Sequence, residues 1–400
     1  ASDGDDIRRN LGGAPQARKT PPPKPAADPH LGVLDTVLSL RRLLSQASKG
    51  AAVDLFLSSD RIQSVVNADV AALLSGAVER GEISLRMAVC VSGDTRAMSN
   101  LVDAYMKALI TGGVRLCVVH GLTEPVARQM YVILPTDAAL LVTETPGGGA
   151  PPVSVLVRDG AFLTEIRASF EAAFRYAQSV LTVYGDEYTR DVIEILALEY
   201  CTPGALDVVK DSVNPMFMTP AAYDRFLRTR GHGESEFAWR SAEFVRFKTG
   251  MDGNLKSGSV FREVLSLSRL REIAQRGACR MAGLYFAERG YVDLDRQGCL
   301  DILNGYVAYL ENEPNFHLRL LDDLDELHGN NCWHIKQNSH ISINNWQGAS
   351  PVMVHSDQLM LLREFQARYD ALWDRGANAI GSRAGVIDIL RDVAGRLEKV

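Results

Sequence analysis

Short apolar runs alternate with stretches of helical period along most of this chain, and the alternation begins near residue 31. Leu34, Leu38, Leu40 and Leu43–Leu44 follow helical spacing, and Ala52–Leu57 is an apolar run of strand length. A helix through Val70–Val78 follows, then a strand at Ile83–Val89 and a helix over Leu101–Ile110. Val114–Val119, Tyr131–Leu134, Ala139–Thr143 and Val153–Val157 are further strands, and a long helix over about 162–181 closes the unit. Strands this apolar, separated by helices, imply an α/β sheet covered by helices.

The pattern then repeats. A helix at 186–200 leads to strands at Leu206–Val209 and Ser259–Leu265, with helices near 221–229 and 236–248 between them. Helices at 268–276 and about 296–311 precede strands at Phe316–Leu321, Cys332–Asn344 and Val352–Val354, and helices at 358–375 and 384–397 end the chain. The two closing units match feature by feature. Val155–Val157, Asp159, Leu163, Ile166-Arg167, Phe170 and Phe174 find counterparts in Val352–Val354, Asp357, Leu359, Leu362-Arg363, Phe365 and Tyr369. The expected architecture is therefore two similar mixed-sheet α/β halves, 31–183 and 184–400, behind a flexible linker at 1–30 that holds Pro21–Pro23 and Pro25.

Composition narrows the class. With 46% hydrophobic and 23% charged residues the chain is ordinary globular material, and a net charge of −6 argues against a dominant nucleic-acid surface. The 6 cysteines are scattered without a CxxC pair, so reduced buried thiols are expected, with neither metal nor cofactor. No apolar stretch approaches the roughly 20 residues that span a bilayer, and no signal peptide opens the chain, so a cytoplasmic protein without membrane partners is expected.

The chemistry concentrates at His334-Ile-Lys336-Gln-Asn338-Ser-His340-Ile341 and Gly348-Ala349. Read as one strand, this segment puts His334, Lys336, Asn338 and His340 on a single face, either solvent-exposed or lining a polar cleft. The spacing resembles the phospholipase D-like superfamily, whose motif reads His-x-Lys, four residues, Asp, six residues, Gly-Ser. His334 and Lys336 match, Ile341 stands where the Asp belongs, and Gly348-Ala349 stands for Gly-Ser. The same register in the first half places Met130, Val132 and Asp137 at His, Lys and Asp. The resemblance implies a pseudo-dimer of two halves, one histidine attacking phosphorus and a second acting as general acid. It also implies lysines on the phosphate and an acid orienting each imidazole. Only one motif histidine and one motif lysine remain, so the resemblance implies a degenerate site. A second histidine and an acid converging on His334 would contradict that.

The expectation is a non-catalytic ligand-sensing or effector-binding module with an unknown small-molecule or protein effector. His334, Lys336, Asn338, His340, Asp137 and Trp346 would line a cleft between the halves. The resemblance, the linker and the absent initiator methionine together suggest a bacterial transcriptional regulator whose helix-turn-helix domain lies upstream, with DNA contact only through that domain. Two alternatives stand beside it. One is a phosphodiesterase or phospholipase D-type hydrolase using His334 and Lys336. The other is an interaction scaffold or homodimer using the apolar stripe of the last helix.

Overall fold

The computed structural model describes residues 27–31, 33–58, 65–91, 111–119, 128–135, 137–144, 153–185, 189–282, 291–322, 331–345, 352–380 and 382–399, together with isolated residues at 101–109, 324 and 327. The isolated residues at 101–109 are helical, as the spacing there predicts.

The first half runs β1 (Ala27–Leu31), α1 (Val33–Leu44), β2 (Ala51–Leu57), α2 (Val65–Glu79), β3 (Ile83–Cys90), β4 (Val114–Val119), β5 (Arg128–Leu134), β6 (Ala138–Glu144), β7 (Val153–Val157), α3 (Gly160–Tyr176) and β8 (Gln178–Ser179). The second runs β9 (Thr182–Tyr184), α4 (Thr189–Cys201), β10 (Leu206–Lys210), α5 (Pro220–Arg228), α6 (Glu234–Lys256), β11 (Phe261–Ser266), α7 (Leu267–Arg276), β12 (Cys279–Ala282), β13 (Tyr291–Leu294), α8 (Arg296–Asn312), β14 (Phe316–Leu321), β15 (Asn331–Lys336), β16 (His340–Asn345), β17 (Val352–Ser356), α9 (Leu359–Ile380) and α10 (Arg383–Leu397).

An 8-stranded sheet of order β1-β7-β6-β5-β2-β3-β4-β8 and a 7-stranded sheet of order β14-β11-β10-β15-β16-β17-β9 carry the two halves. In each sheet three parallel strands (β2, β3, β4; β10, β11, β14) meet an antiparallel meander (β5–β7; β15–β17), with a leading strand (β1; β9) against its far edge. The fold is thus α/β with two similar mixed-sheet halves, the organisation that the resemblance implies. Between β11 and β14 the second half carries α7, the β12–β13 hairpin and α8.

The structure differs from the sequence reading in three places. Ala27–Leu31, at the end of the expected linker, pairs with β7 as an edge strand; the rest of that segment lies outside the described residues. The segment 332–344 is not one strand but a hairpin: β15 and β16 pair through Lys336↔His340 and turn at Gln337–Ser339. Asn338 takes a left-handed conformation there (φ 58°), which asparagine tolerates. The repeat register also shifts. β5 and β15 pair antiparallel with β2 and β10, and Leu55↔Val132 corresponds to Val208↔His334. Val132 and Leu134, not Met130 and Val132, therefore occupy the places of His334 and Lys336.

One ion-pair frame fixes that correspondence. Arg86 grips Asp54 through two bonds of 2.6 and 2.8 Å and reaches Glu171 on α3 at 2.7 Å. Arg262 grips Asp207 through two bonds of 2.7 Å and reaches Asp370 on α9 at 3.2 Å. Each guanidinium lies over two aromatic rings of its helix, Phe170 and Phe174 in one half, Tyr369 and Trp373 in the other, so the closing helices match one turn later than the sequence pairing of Phe170 and Phe174 with Phe365 and Tyr369. A bidentate, ring-stacked arginine is a demanding geometry, and its recurrence at matched strand positions marks the duplication.

Candidate functional site

Strand pleat sorts β15 and β16 into two faces. Trp333, Ile335, Ile341 and Ile343 enter an apolar cluster that runs on into the first half. Cys332, His334, Lys336, His340, Ser342 and Asn344 point the opposite way, toward α4, and every one is buried.

Glu199 on α4 organises this face. Its Oε2 lies 2.5 Å from His334 Nδ1, Ser342 donates its hydroxyl to Oε1, and His340 Nε2 stands 3.8 Å from Oε1. Glu199 is 1% exposed. Burial alone would raise its carboxyl, but the charge and hydrogen bonds of His334 and His340 hold it far below the usual carboxylate range. Burial likewise works against the His334 imidazolium, yet Cys332 and Glu199 together push its pKa up to about 10. The Cys332 thiol moves the other way: burial opposes its ionisation, and His334 and Lys210 overcome that, lowering its pKa. His334 Nε2 has no nitrogen or oxygen partner among the described residues.

Lys336 has a different task. Its ammonium donates to the carbonyls of Glu199 (3.0 Å), Thr202 (2.6 Å) and Gly204 (3.1 Å). The last turn of a helix leaves carbonyls without intrahelical partners, and a cation there also meets the negative end of the macrodipole. Lys336 is thus a cap on α4, with its three donors already engaged. Gly204 makes the close approach feasible, for its φ of 116° is a conformation that side chains rarely adopt. The cavity beside Glu199, Gly204 and Lys336 measures about 20 Å³, room for about one water molecule.

A second buried acid extends the layer. Tyr306 donates to Glu263 at 2.5 Å, Asn214 Nδ2 donates to it at 3.4 Å, and the Tyr306 hydroxyl accepts from the Asn214 amide at 3.0 Å. Burial raises the Glu263 carboxyl, against the lowering effect of Lys210 and these hydrogen bonds.

The structure therefore brings His334, Lys336 and His340 together and separates the other expected site residues. Asn338 sits exposed in the hairpin turn. Asp137 sits exposed in the matching turn of the first half, 3.2 Å from Arg167. Trp346 lies outside the described residues. Sequence reasoning missed Glu199: a carboxylate and a second histidine, His340, do converge there, so the expectation that His334 lacks an orienting acid is overturned, and the degenerate reading now rests on the first half alone, where Val132 and Leu134 stand at the places of His334 and Lys336. Among the described residues no cluster of three or more His, Cys, Asp or Glu could hold a metal ion, and no helix is long and apolar enough to cross a membrane.

No protein-family model and no curated protein matches the chain. Among solved structures, similarity extends to phosphatidylserine synthase from Haemophilus influenzae Rd KW20, with 9% identity over 92% of this chain and 93% of that one and a TM-score of 0.29. NucT from Helicobacter pylori is 11% identical over 48% of this chain and 95% of its own, with a TM-score of 0.27. TrmBL2, an archaeal chromatin protein, is 11% identical over 39% of this chain and 56% of its own, with a TM-score of 0.28. Likeness at these scores carries no argument, and the fold rests on the two sheets themselves.

Proposed function

We propose that this protein is a non-catalytic effector-binding module on a phospholipase D-like scaffold. One observation carries the reading: the positions that match His334 and Lys336 in the first half are Val132 and Leu134, both buried and apolar. A two-histidine phosphoryl transfer needs an attacking imidazole from one half and a proton donor from the other, and the first half has neither to give. Within the second half, Cys332 and Glu199 raise the pKa of buried His334 and so favour its imidazolium, the form whose ring has no lone pair to attack phosphorus. Lys336 spends its donors on carbonyls. In this reading the module serves a transcriptional regulator, and DNA contact belongs to another segment. The whole 400-residue chain then shows no sequence-selective duplex binding.

The hydrolase reading is favoured by one feature, the Glu199–His334 pair, which has the form of an acid orienting a catalytic imidazole. Turnover of bis(p-nitrophenyl) phosphate separates the two. The binding-module reading expects no turnover by the wild-type protein beyond that of His334→Ala; turnover that His334→Ala abolishes reverses it.

A further inference from the structure

Two buried thiols meet where α8 begins. Cys279 opens β12 and Cys299 lies in the first turn of α8, and they are 7% and 1% exposed. Helix caps place both. Gly277, left-handed at φ 66°, ends α7 by donating to the Ile273 carbonyl at 3.0 Å, and β12 starts two residues later at Cys279. The Asp295 side chain accepts from the Gly298 amide at 2.8 Å and the Asp295 carbonyl accepts from Cys299 at 3.0 Å, so α8 starts directly after β13. A Cβ on Gly298 would come within 3.1 Å of the Leu294 side chain, which sets the first turn of α8 against the end of the hairpin.

The hairpin register then brings the sulfurs together. Cys279 is paired with Leu294 across the β12–β13 ladder, and Cys299 Sγ stands 4.0 Å from the Leu294 carbonyl. The two thiols make a side-chain hydrogen bond and belong to one apolar cluster. Contact with Cys279 and burial push the Cys299 thiol far up, so Cys299 holds its proton. All six cysteines are free thiols in this structure.

We infer that Cys279 and Cys299 form a reversible disulfide site, closed by a hydroperoxide, that straps the β12–β13 hairpin to the start of α8. The Cys279 thiolate attacks one oxygen of hydrogen peroxide, the O–O bond breaks, and the leaving hydroxide takes up the proton that the thiol released. The sulfenic acid so formed is attacked by Cys299. The S–O bond breaks, and its hydroxyl leaves as water with the Cys299 proton. The thiol pair loses two electrons, and the peroxide is reduced to two waters. A dithiol returns both thiols by exchange. The bond closes a loop of about 20 residues, and such a link restricts the opened state of the segment. Neither thiol belongs to the polar layer under α4, so the strap is independent of the effector-binding reading.

Mass spectrometry of the full chain tests it. Native protein is treated with hydrogen peroxide, remaining thiols are blocked with N-ethylmaleimide, and a tryptic digest is run without reductant. The expected product joins Gly277–Arg280 to Gln297–Arg319 with the loss of two hydrogens, and dithiothreitol separates the two peptides. In Cys299→Ser the link is absent and Cys279 advances to the sulfinic acid, because no thiol remains to capture the sulfenic acid. Amide hydrogen exchange reads the strap: β12 and β13 should exchange at least about tenfold more slowly in the oxidised chain than in the reduced one. The assignment is overturned by a link that forms only once the chain is unfolded in urea, by pairing of either thiol with another cysteine, or by native thiols that do not react. Oxidation of Cys279 past the sulfenic acid in the wild-type chain, without a link, overturns it too. Equal exchange in the two forms would remove the strap.

Discussion

The two halves answer the same structural question with opposite chemistry. On the α1-facing side of the first sheet stand Leu57, Met87, Met130, Val132, Leu134, Ala138, Leu140 and Val142, all buried. By strand register their counterparts in the second half are Lys210, Glu263, Cys332, His334, Lys336, His340, Ser342 and Asn344, also all buried. The helix that covers each layer follows suit: α1 contributes Leu40 and Leu43, and α4 contributes Glu199. An apolar layer needs only shape, because dispersion and water exclusion are non-directional. A polar layer holds only if its charges balance and nearly every donor finds an acceptor. Glu199 supplies that balance by facing both His334 and Ser342. The same backbone thus tolerates either solution, which teaches that the fold does not demand the polar one.

Removing the balancing charge is the most damaging change. Glu199→Ala leaves the His334 cation buried and unpaired, and a cost of about 3–5 kcal/mol is expected in denaturant titration. A loss below about 1 kcal/mol would mean the pair contributes no more than an exposed ion pair does.

Val132→His carries the polar residue into the half that has no acid to receive it. A cost of about 2–3 kcal/mol is expected, from a buried imidazole without a partner. Burial lowers the pKa of such a group, so its penalty should grow as pH falls below about 6.5. His334 has the opposite sign. Its raised pKa gives a stabilisation complete below about 6.5 and lost as pH climbs through about 10, the value the Cys332 and Glu199 neighbours impose. Acid acts on Glu199 instead: its depressed pKa gives stability that is present above about 4.5 and lost as pH falls toward its folded value.

Copying the first half into the second should matter least. Glu199→Leu, His334→Val, Lys336→Leu, His340→Ala and Ser342→Leu, made together, should leave stability within about 2 kcal/mol of the original or improve it. Equilibrium unfolding of the combined variant checks this, with a guard for α4, which loses its Lys336 cap. A collapse of the second half, with the first intact, would show that the polar layer is required for folding.

Much of the fold was legible because buried strands and amphipathic helices announce themselves by period. The β15–β16 hairpin was not, since Gln337-Asn338-Ser339 lacks the Asn-Gly or Asp-Gly pair that marks a tight turn, and alternation continues across it. Glu199 was hidden by distance along the chain, yet it left a signal. Val192, Ile195 and Leu196 trace the buried stripe of α4, and Glu199 continues that stripe one turn later. A carboxylate on the apolar side of a helix asks for a buried cation. Lys336 matched a motif for phosphate binding and turned out to be a helix cap. Residue type fixed its charge, but only the fold could say which oxygens it meets.

The claim that the polar layer is a balanced replacement rather than a catalytic centre turns on the protonation state of His334. A nitrogen-15 NMR titration of its ring reads that state directly. The account predicts both ring nitrogens protonated through neutral pH, with the proton leaving near pH 10. A ring that titrates near 6.5 to a neutral form, with the proton kept on the nitrogen facing Glu199, would expose a nucleophilic Nε2 and contradict it.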